Sequence, residues 1–326
     1  MKIGLIGCGK QASKHIKGLK AFSSVEIFVT DENKTLALDF AEAEGVQYIE
    51  SFIKFPKDLE GLIICTPLRS HFEYICLGLE LNDYINIFCE KPLCETLNEA
   101  KEIEKTMVCH SQQFIQVGYV YRYAPVFEEA YKLLHDSMVL EKPLFASFRL
   151  GGRGSHQEWK HKKDHGGGAK NEMFVHMLDL ALWLFGSIRG WNYIAKDQFL
   201  YERKIGEEIV VCDAEDFIFL ECTSISGVRI HIQADMITPA FSQHLEIQAE
   251  NGSFFGSIQP DMPSYLYLKE DRGGYNKGKT IFNFGKRNFF DAQMTDFIYC
   301  LEMGKKPRRN TLYDSIALME FLEEVK

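Results

Sequence analysis

The nine cysteines form no CxxC pair and no grouping with metal-ligand spacing, so neither a zinc module nor a disulfide framework is expected. Cys8, Cys65 and Cys89 lie inside apolar segments, and an odd number of unpaired thiols fits a reducing compartment. No apolar run approaches the roughly 18–20 residues of a membrane helix. Met1-Lys2 passes straight into Ile3-Gly4-Leu5-Ile6 without a signal-peptide pattern, so a cytoplasmic location is expected. Positive charge is not in excess: 37 Lys and Arg against 46 Asp and Glu leave a net charge of −9. That sign argues against nucleic acid as the main partner. What remains is a chain of 326 residues, 46% apolar and 25% charged, which are the proportions of a globular protein with two domains.

The first third alternates short apolar runs with helical periodicity. Ile3–Ile6, Val25–Val29, Leu62–Cys65 and Ile85–Cys89 read as buried strands. The segments between them carry one-face apolar spacing, as at Ala12, Ile16 and Leu19. Thr96 with Glu99 marks the capped start of a further helix. Buried strands alternating with helices predict an α/β fold with a doubly wound parallel sheet. Ligands of such sheets bind beyond the carboxyl ends of the strands.

Gly7-Cys8-Gly9-Lys10-Gln11-Ala12 fits G-x-G-x-x-A between a strand and a helix. The first glycine permits the tight turn, the second lets backbone approach a pyrophosphate, and the small Ala12 allows close packing. The helix start then offers unpaired N–H groups to that anion. Asp31 closes the second strand at the place where an acid bonds a ribose 2′-hydroxyl and repels a 2′-phosphate, which favours NAD over NADP. Thr66-Pro67 and Glu90-Lys91-Pro92 end the next two strands. On these grounds alone Thr66-Pro67 is equally a strand terminator and Lys91 equally a solvated surface lysine.

Beyond about Tyr119 the chain becomes strand-rich, with Phe145–Leu150, Trp191–Ala195, Phe217–Glu221, Val228–Gln233 and Leu245–Gln248 as expected strands. Their alternation predicts an open, mostly antiparallel sheet with one face covered. Gly166-Gly167-Gly168 precedes a long apolar helix over Lys170–Phe185, on which Glu172, His176 and Asp179 form the only ionisable stripe. Such a stripe is costly unless it is paired or lines a cavity. A satisfied structural pair and a metal site completed by His161 and His165 are the alternatives; no metal is expected.

Taken in order, Gly7-Cys8-Gly9, Thr66-Pro67 with His71, Glu90-Lys91-Pro92, Arg122 with Pro125, Trp159 before the glycine run, and Glu172-x-x-x-His176-x-x-Asp179 resemble the glucose–fructose oxidoreductase/inositol dehydrogenase/MocA family over nearly the whole chain. The resemblance implies an N-terminal NAD(P)-binding Rossmann domain over residues 1–118 and a C-terminal α/β domain over 119–305 with a large open sheet. It further implies that 306–326 form a last helix packing back on the first domain, and that a homodimer or homotetramer forms through the C-terminal sheet.

Carried over residue by residue, Lys91 is the catalytic lysine, His176 the proton-transfer residue and Glu172 the third catalytic candidate, to orient His176 or touch the substrate. Glu172 stands where inositol dehydrogenase-like members have aspartate, Val120 where many have asparagine, and Lys170 where an apolar residue is common. Cofactor contacts are expected from Gly7 to Ala12, Asp31, Thr66, Pro67, His71, Glu90 and Lys91. Substrate contacts are expected from Lys91, Tyr119, Arg122, Trp159, Lys160, Glu172 and His176. The expected activity is hydride transfer between NAD and a secondary alcohol or ketone of a sugar, inositol or nucleotide-sugar, with no membrane or nucleic-acid partner. The alternative is a non-catalytic NAD-binding protein that answers redox state through a partner.

Overall fold

Apolar runs too short for helices become the strands of the first unit. β1 (Lys2–Ile6) is followed by α1 (Ala12–Lys20), β2 (Glu26–Thr30), α2 (Lys34–Glu44), β3 (Gln47–Tyr48), β4 (Gly61–Ile64), α3 (His71–Leu81), β5 (Asn86–Cys89), α4 (Leu97–Cys109) and β6 (Ile115–Val117). The strands are all parallel and lie in the order β3-β2-β1-β4-β5-β6. This is the dinucleotide-binding order, with its switch point between β1 and β4. Ile3, Leu5, Leu62, Ile63, Ile64, Ile87 and Phe88 have no exposure, as expected of strands covered on both faces. Thr96 and Glu99 form the expected capping box at the start of α4.

The structure, a computed structural model, describes residues 1–136, 139–152 and 157–325. It divides into one unit of Met1–Tyr123 with Arg287–Lys326 and a second of Ala124–Lys286.

The second unit opens with α5 (Pro125–Tyr131) and β7 (Pro143–Gly151). A π-helical turn over Lys170–Phe174 leads into α6 (Val175–Phe185). β8 (Ile188–Asp197), β9 (Glu202–Ile205), β10 (Glu208–Val211), β11 (Phe217–Ser224), β12 (Arg229–Asp235), β13 (Ser242–Ala249), β14 (Gly252–Gly256), β15 (Ser264–Leu268) and β16 (Gly278–Phe282) follow. β9 and β10 pair as a separate hairpin. The other eight form one sheet, β16-β15-β14-β13-β7-β12-β11-β8, antiparallel throughout except for β7 beside β12.

Strand side chains alternate between faces, and here the two faces differ. Ala146, Phe148, Leu150, Ile230, Ile232, Leu245 and Ile247 are fully buried, on the side against which α6 packs. The other face carries half-exposed rings: Phe145 meets His231 edge-on at 5.0 Å, and Phe255 stacks on both His244 and Tyr265 at 5.6 Å.

Two last helices, α7 (Phe289–Met303) and α8 (Leu312–Glu324), belong to the first unit. The expected boundaries, 119–305 as second domain, therefore differ from the observed ones at both ends. Residues 119–123 close the first unit, and α7 returns to it. The reason is packing. Met294, Phe297 and Ile298 lie on one face of α7 and are buried in the core of the parallel sheet. The rings of Phe88 and Phe114 each meet Phe297 at 5.8 Å. Gly18 lets α7 come close, since a Cβ there would sit 2.9 Å from Cβ of Met294. α8 starts at a capping box of Thr311 and Asp314, and Lys101 of α4 pairs with Glu320 at 2.6 Å.

Candidate functional site

The carboxyl ends of β1, β2, β4 and β5 carry the first unit's polar motifs. Gly7 has φ +88°, and a Cβ on it would lie 2.8 Å from the Cys65 backbone, so only glycine fits this turn. Its N–H donates to the Thr30 carbonyl at 2.9 Å. Gly9 is exposed and a Cβ there would meet nothing within 4 Å. The space a side chain would fill is open above the first turn of α1, whose leading N–H groups have no helical acceptor. Lys10 is exposed beside it, Gln11 is half-buried, and Ala12 is fully buried against the sheet. Asp31 accepts the buried Cys8 N–H at 2.7 Å and the Asn33 N–H at 2.8 Å, one on each oxygen. Its carboxylate is thereby fixed next to the glycine loop.

At the end of β4, Pro67 is exposed and Thr66 is half-buried. The Thr66 Oγ1 is buried without a hydrogen-bond partner, an atom that a bound polar group would satisfy. The open Gly9 cradle, the fixed Asp31 carboxylate and the orphaned Thr66 hydroxyl together fit a dinucleotide laid along these strand ends.

Glu90, Lys91 and His71, all expected to contact the cofactor, differ in their exposure. Lys91 is half-buried. Glu90 is 6% exposed, and both its oxygens are engaged inside the unit: Oε1 by Gln11 Nε2 at 3.2 Å and His15 Nε2 at 2.5 Å, Oε2 by the Lys91 N–H at 3.2 Å. Burial disfavours its charge, but the His15 bond and charge, with Lys91, outweigh burial and hold its pKa below the ordinary glutamate value. His71 is 1% exposed. Its Nδ1 lies 2.8 Å from the Pro92 carbonyl and its Nε2 3.0 Å from the Thr66 carbonyl. Burial lowers its pKa against the pull of those two carbonyls. His71 thus ties the end of β4 to the end of β5 rather than facing outward.

Tyr119 and Arg122, expected among the substrate contacts, are 0% and 1% exposed. Arg122 pairs with Asp314 at 3.2 Å, and its carbonyl accepts from Arg309 at 2.9 Å. The Tyr119 carbonyl accepts from Asn310 Nδ2 at 3.1 Å. Both residues fasten the 119–123 segment to the chain leading into α8, and a large buried guanidinium requires such a partner.

In the second unit the glycine run folds back on the turn that carries Trp159 and Lys160. Gly167 N–H donates to the Lys162 carbonyl and Gly168 N–H to the Lys160 carbonyl, both at 2.9 Å. Gly166 and Gly168 take φ +73° and +108°. Glu215 holds the far side: its carbonyl accepts from Ala169 at 2.8 Å and its Oε1 from the Lys170 N–H at 3.1 Å. The π turn that follows carries Glu172, whose carboxylate is hydrogen-bonded to the Lys160 ammonium. Lys160 lies 5.2 Å over the ring of Trp159, which is 41% exposed. Three expected substrate residues, Trp159, Lys160 and Glu172, are so brought together. The expected single α-helix from Lys170 is corrected: its first turn is the wider π form, and the α-helix begins at Val175. His176 is half-buried on the first turn of α6 and Asp179 is 1% exposed.

Among the described residues no group of three or more His, Cys, Asp or Glu is placed to hold a metal ion; the side chain of His165 lies outside the described residues. Sequence reasoning missed His15 and Glu215. His15 shares the apolar face of Ala12, Ile16 and Leu19, where a lone imidazole signals a buried partner. Glu215 left no such signal.

Two family models match the chain. One, described as an oxidoreductase family with an NAD-binding Rossmann fold, covers residues 1–119; the other, the GFO/IDH/MocA C-terminal domain, covers 132–255. An inositol 2-dehydrogenase of Salmonella paratyphi B is 21% identical over 96% of this chain and 90% of its own length. One from Pseudomonas syringae pv. syringae is 25% identical over 91% and 85%. The fold is that of a levoglucosan dehydrogenase solved with NADH, with TM-score 0.85, 18% identity, and 99% and 95% coverage. With a parallel sheet and glycine loop of the matching kind in one unit and an open sheet in the other, the chain belongs to the GFO/IDH/MocA family of oxidoreductases, whose N-terminal domain binds NAD.

Proposed function

We propose that the protein oxidises a secondary alcohol, or reduces the corresponding ketone, on a sugar, inositol or nucleotide-sugar, with NAD in preference to NADP. Asp31 supports the coenzyme choice. Its charge and its fixed oxygens suit a ribose 2′-hydroxyl donor and oppose a 2′-phosphate. The Gly7–Ala12 loop would hold the pyrophosphate, with Thr66 and Pro67 along the groove. When bound, the nicotinamide supplies the hydride acceptor or donor.

The chain's own groups supply the rest. Lys91 presents an ammonium at the end of β5 to stabilise a developing alkoxide, a contribution of about 2.7–4 kcal/mol for comparable donors. His176 takes the hydroxyl proton as general base. Lys160, Trp159 and Glu172 offer a cation, an aromatic face and a carboxylate for binding a polyhydroxylated ring. Tyr119 and Arg122, buried and paired, act by holding the 119–123 segment. A second copy of the chain would cover the ring-lined face of the open sheet.

The observation that carries this reading is Lys91 at a strand end and directly after the bound, buried carboxylate of Glu90. The test is a panel of sugars, inositols and nucleotide-sugars, followed by absorbance at the reduced-nicotinamide band. Lys91→Met and His176→Asn, assayed at saturating coenzyme on the substrate found, should each lose about 100-fold or more in turnover. Turnover within a few-fold of the parent would remove the assigned roles. Coenzyme binding with no turnover across the panel would favour the redox-responsive partner reading.

A further inference from the structure

We infer that His15 and Glu90 are positioning residues that fix Lys91 and join it to the cofactor loop through one shared carboxylate. The inference rests on the role proposed for Lys91. Glu90 immediately precedes that lysine, and its Oε2 accepts the Lys91 N–H at 3.2 Å. Its Oε1 takes Gln11 from the glycine loop at 3.2 Å and His15 from α1 at 2.5 Å. A carboxylate only accepts, so in each of these contacts the nitrogen is the donor. The remaining side is closed by Gly118, where a Cβ would lie 3.0 Å from Oε2. Glu90 therefore has no freedom to turn, and the backbone that starts Lys91 is held with it.

His15 is itself locked. It has no exposure, and it meets Phe88 edge-on at 5.1 Å and Phe290 at 5.6 Å. Phe88 belongs to β5, the strand that delivers Glu90, and Phe290 to α7. An apolar residue would fill such a site at lower cost than a buried hydrogen-bonded histidine and carboxylate. The arrangement gains orientation: a side chain that must meet a reacting atom is held best by neighbours whose own rotamers are fixed. Across the turn, His71 holds the Pro92 carbonyl at 2.8 Å. Lys91 thus lies between two residues each anchored to a buried histidine. Because Gln11 lies in the loop expected to receive the pyrophosphate, movement there reaches Lys91 through Glu90.

The test uses three variants of the full chain. His15→Phe keeps the ring and removes the donor; His15→Gln keeps a donor of similar reach; Glu90→Gln keeps the shape but turns an amide N–H toward the Lys91 N–H. Lysines are reductively 13C-methylated, and the Lys91 resonance is assigned as the peak absent in Lys91→Arg. Expected is a moved Lys91 resonance in His15→Phe and Glu90→Gln, and a parent-like one in His15→Gln. On a substrate found by the panel, His15→Phe should lose at least tenfold in kcat with KM within threefold, and His15→Gln should recover it. An unmoved resonance in both His15→Phe and Glu90→Gln overturns the inference, as does a His15→Gln that behaves like His15→Phe. Should Lys91→Met retain turnover, the catalytic role of the lysine fails instead, and the resonances still decide its positioning.

Discussion

Replacing Asp31 by asparagine separates the two tasks that its carboxylate performs. Each oxygen accepts one backbone N–H, from Cys8 at 2.7 Å and Asn33 at 2.8 Å. An amide has a single acceptor oxygen. Cys8 is buried and Asn33 exposed, so the new carbonyl must face Cys8, while water satisfies Asn33. Trading charged bonds for neutral ones should destabilise the unit by about 1–2 kcal/mol, and the loop survives. Coenzyme binding changes more. A charged acceptor is worth about 1.5–3 kcal/mol, so its loss on the ribose hydroxyl should weaken NADH about 10–100-fold. NADPH, freed from the facing carboxylate, should gain. Fluorescence titration of parent and variant with both reduced coenzymes, at one ionic strength, gives the ratio directly. The reasoning fails if the parent binds NADPH as tightly as NADH, or if Asp31→Asn leaves the ratio of the two affinities unchanged.

Burial raises the thiol pKa of Cys65, Cys76, Cys89, Cys212 and Cys300, and pushes it to about 12 at Cys8, Cys94 and Cys222, while Cys109 is exposed. Since the thiolate is the nucleophile, brief iodoacetamide treatment of native protein at pH 8 should give one main adduct, mapped to Cys109. A fast adduct on Cys8 would contradict the closed loop.

Acid should destabilise the fold in two stages. The His71 pKa is held below 6.5 by burial, so the unfolded chain takes that proton first, and stability present above pH 6.5 is lost as pH falls below it. The Glu90 pKa is lowered by its His15 bond against burial, so its contribution holds above its unfolded value and is lost only as pH falls through the lower folded one. His71→Gln should flatten the melting temperature between pH 6.5 and 5; an unchanged slope would reject the first stage. Arg122→Met leaves Asp314 without its 3.2 Å partner and should cost about 3 kcal/mol, read by calorimetry and by earlier proteolysis after Lys305. A change under about 0.5 kcal/mol would show the pair to be incidental.

How far the sequence carried differs between elements for physical reasons. β1, β2, β4 and β5 were legible because strands covered on both faces must be continuously apolar, and turn residues bound each run. β7, β11, β12 and β13 were legible because one covered face imposes alternation. β14 is interrupted by glycine at both ends, and β9 is largely charged, so neither carries a period. The spacing of Phe290, Met294 and Phe297 marks a helix, yet local spacing does not say which surface it covers. That surface is α1 and the face of the parallel sheet beside it, and nothing near α7 in the sequence records it. His71 shows the same limit. A histidine beyond a strand end looks like a ligand until both its nitrogens are found on the carbonyls of Thr66 and Pro92.

The three departures from the family pattern turn out to be unequal. Val120 is 8% exposed inside the first unit, so its change from a polar residue is a matter of packing there. Lys170 has its backbone N–H fixed by Glu215. Glu172 is different, because its extra methylene moves the carboxylate about 1.5 Å further from the backbone, and that carboxylate bonds the ammonium of Lys160. The glycine run makes the meeting possible by returning the chain onto the Lys160 carbonyl, and the π turn sets where Glu172 departs. An aspartate on this backbone would stop short of Lys160 and leave two separate charges. With glutamate the second unit presents a joined pair beside an exposed indole, a surface of paired donors and acceptors rather than of net charge.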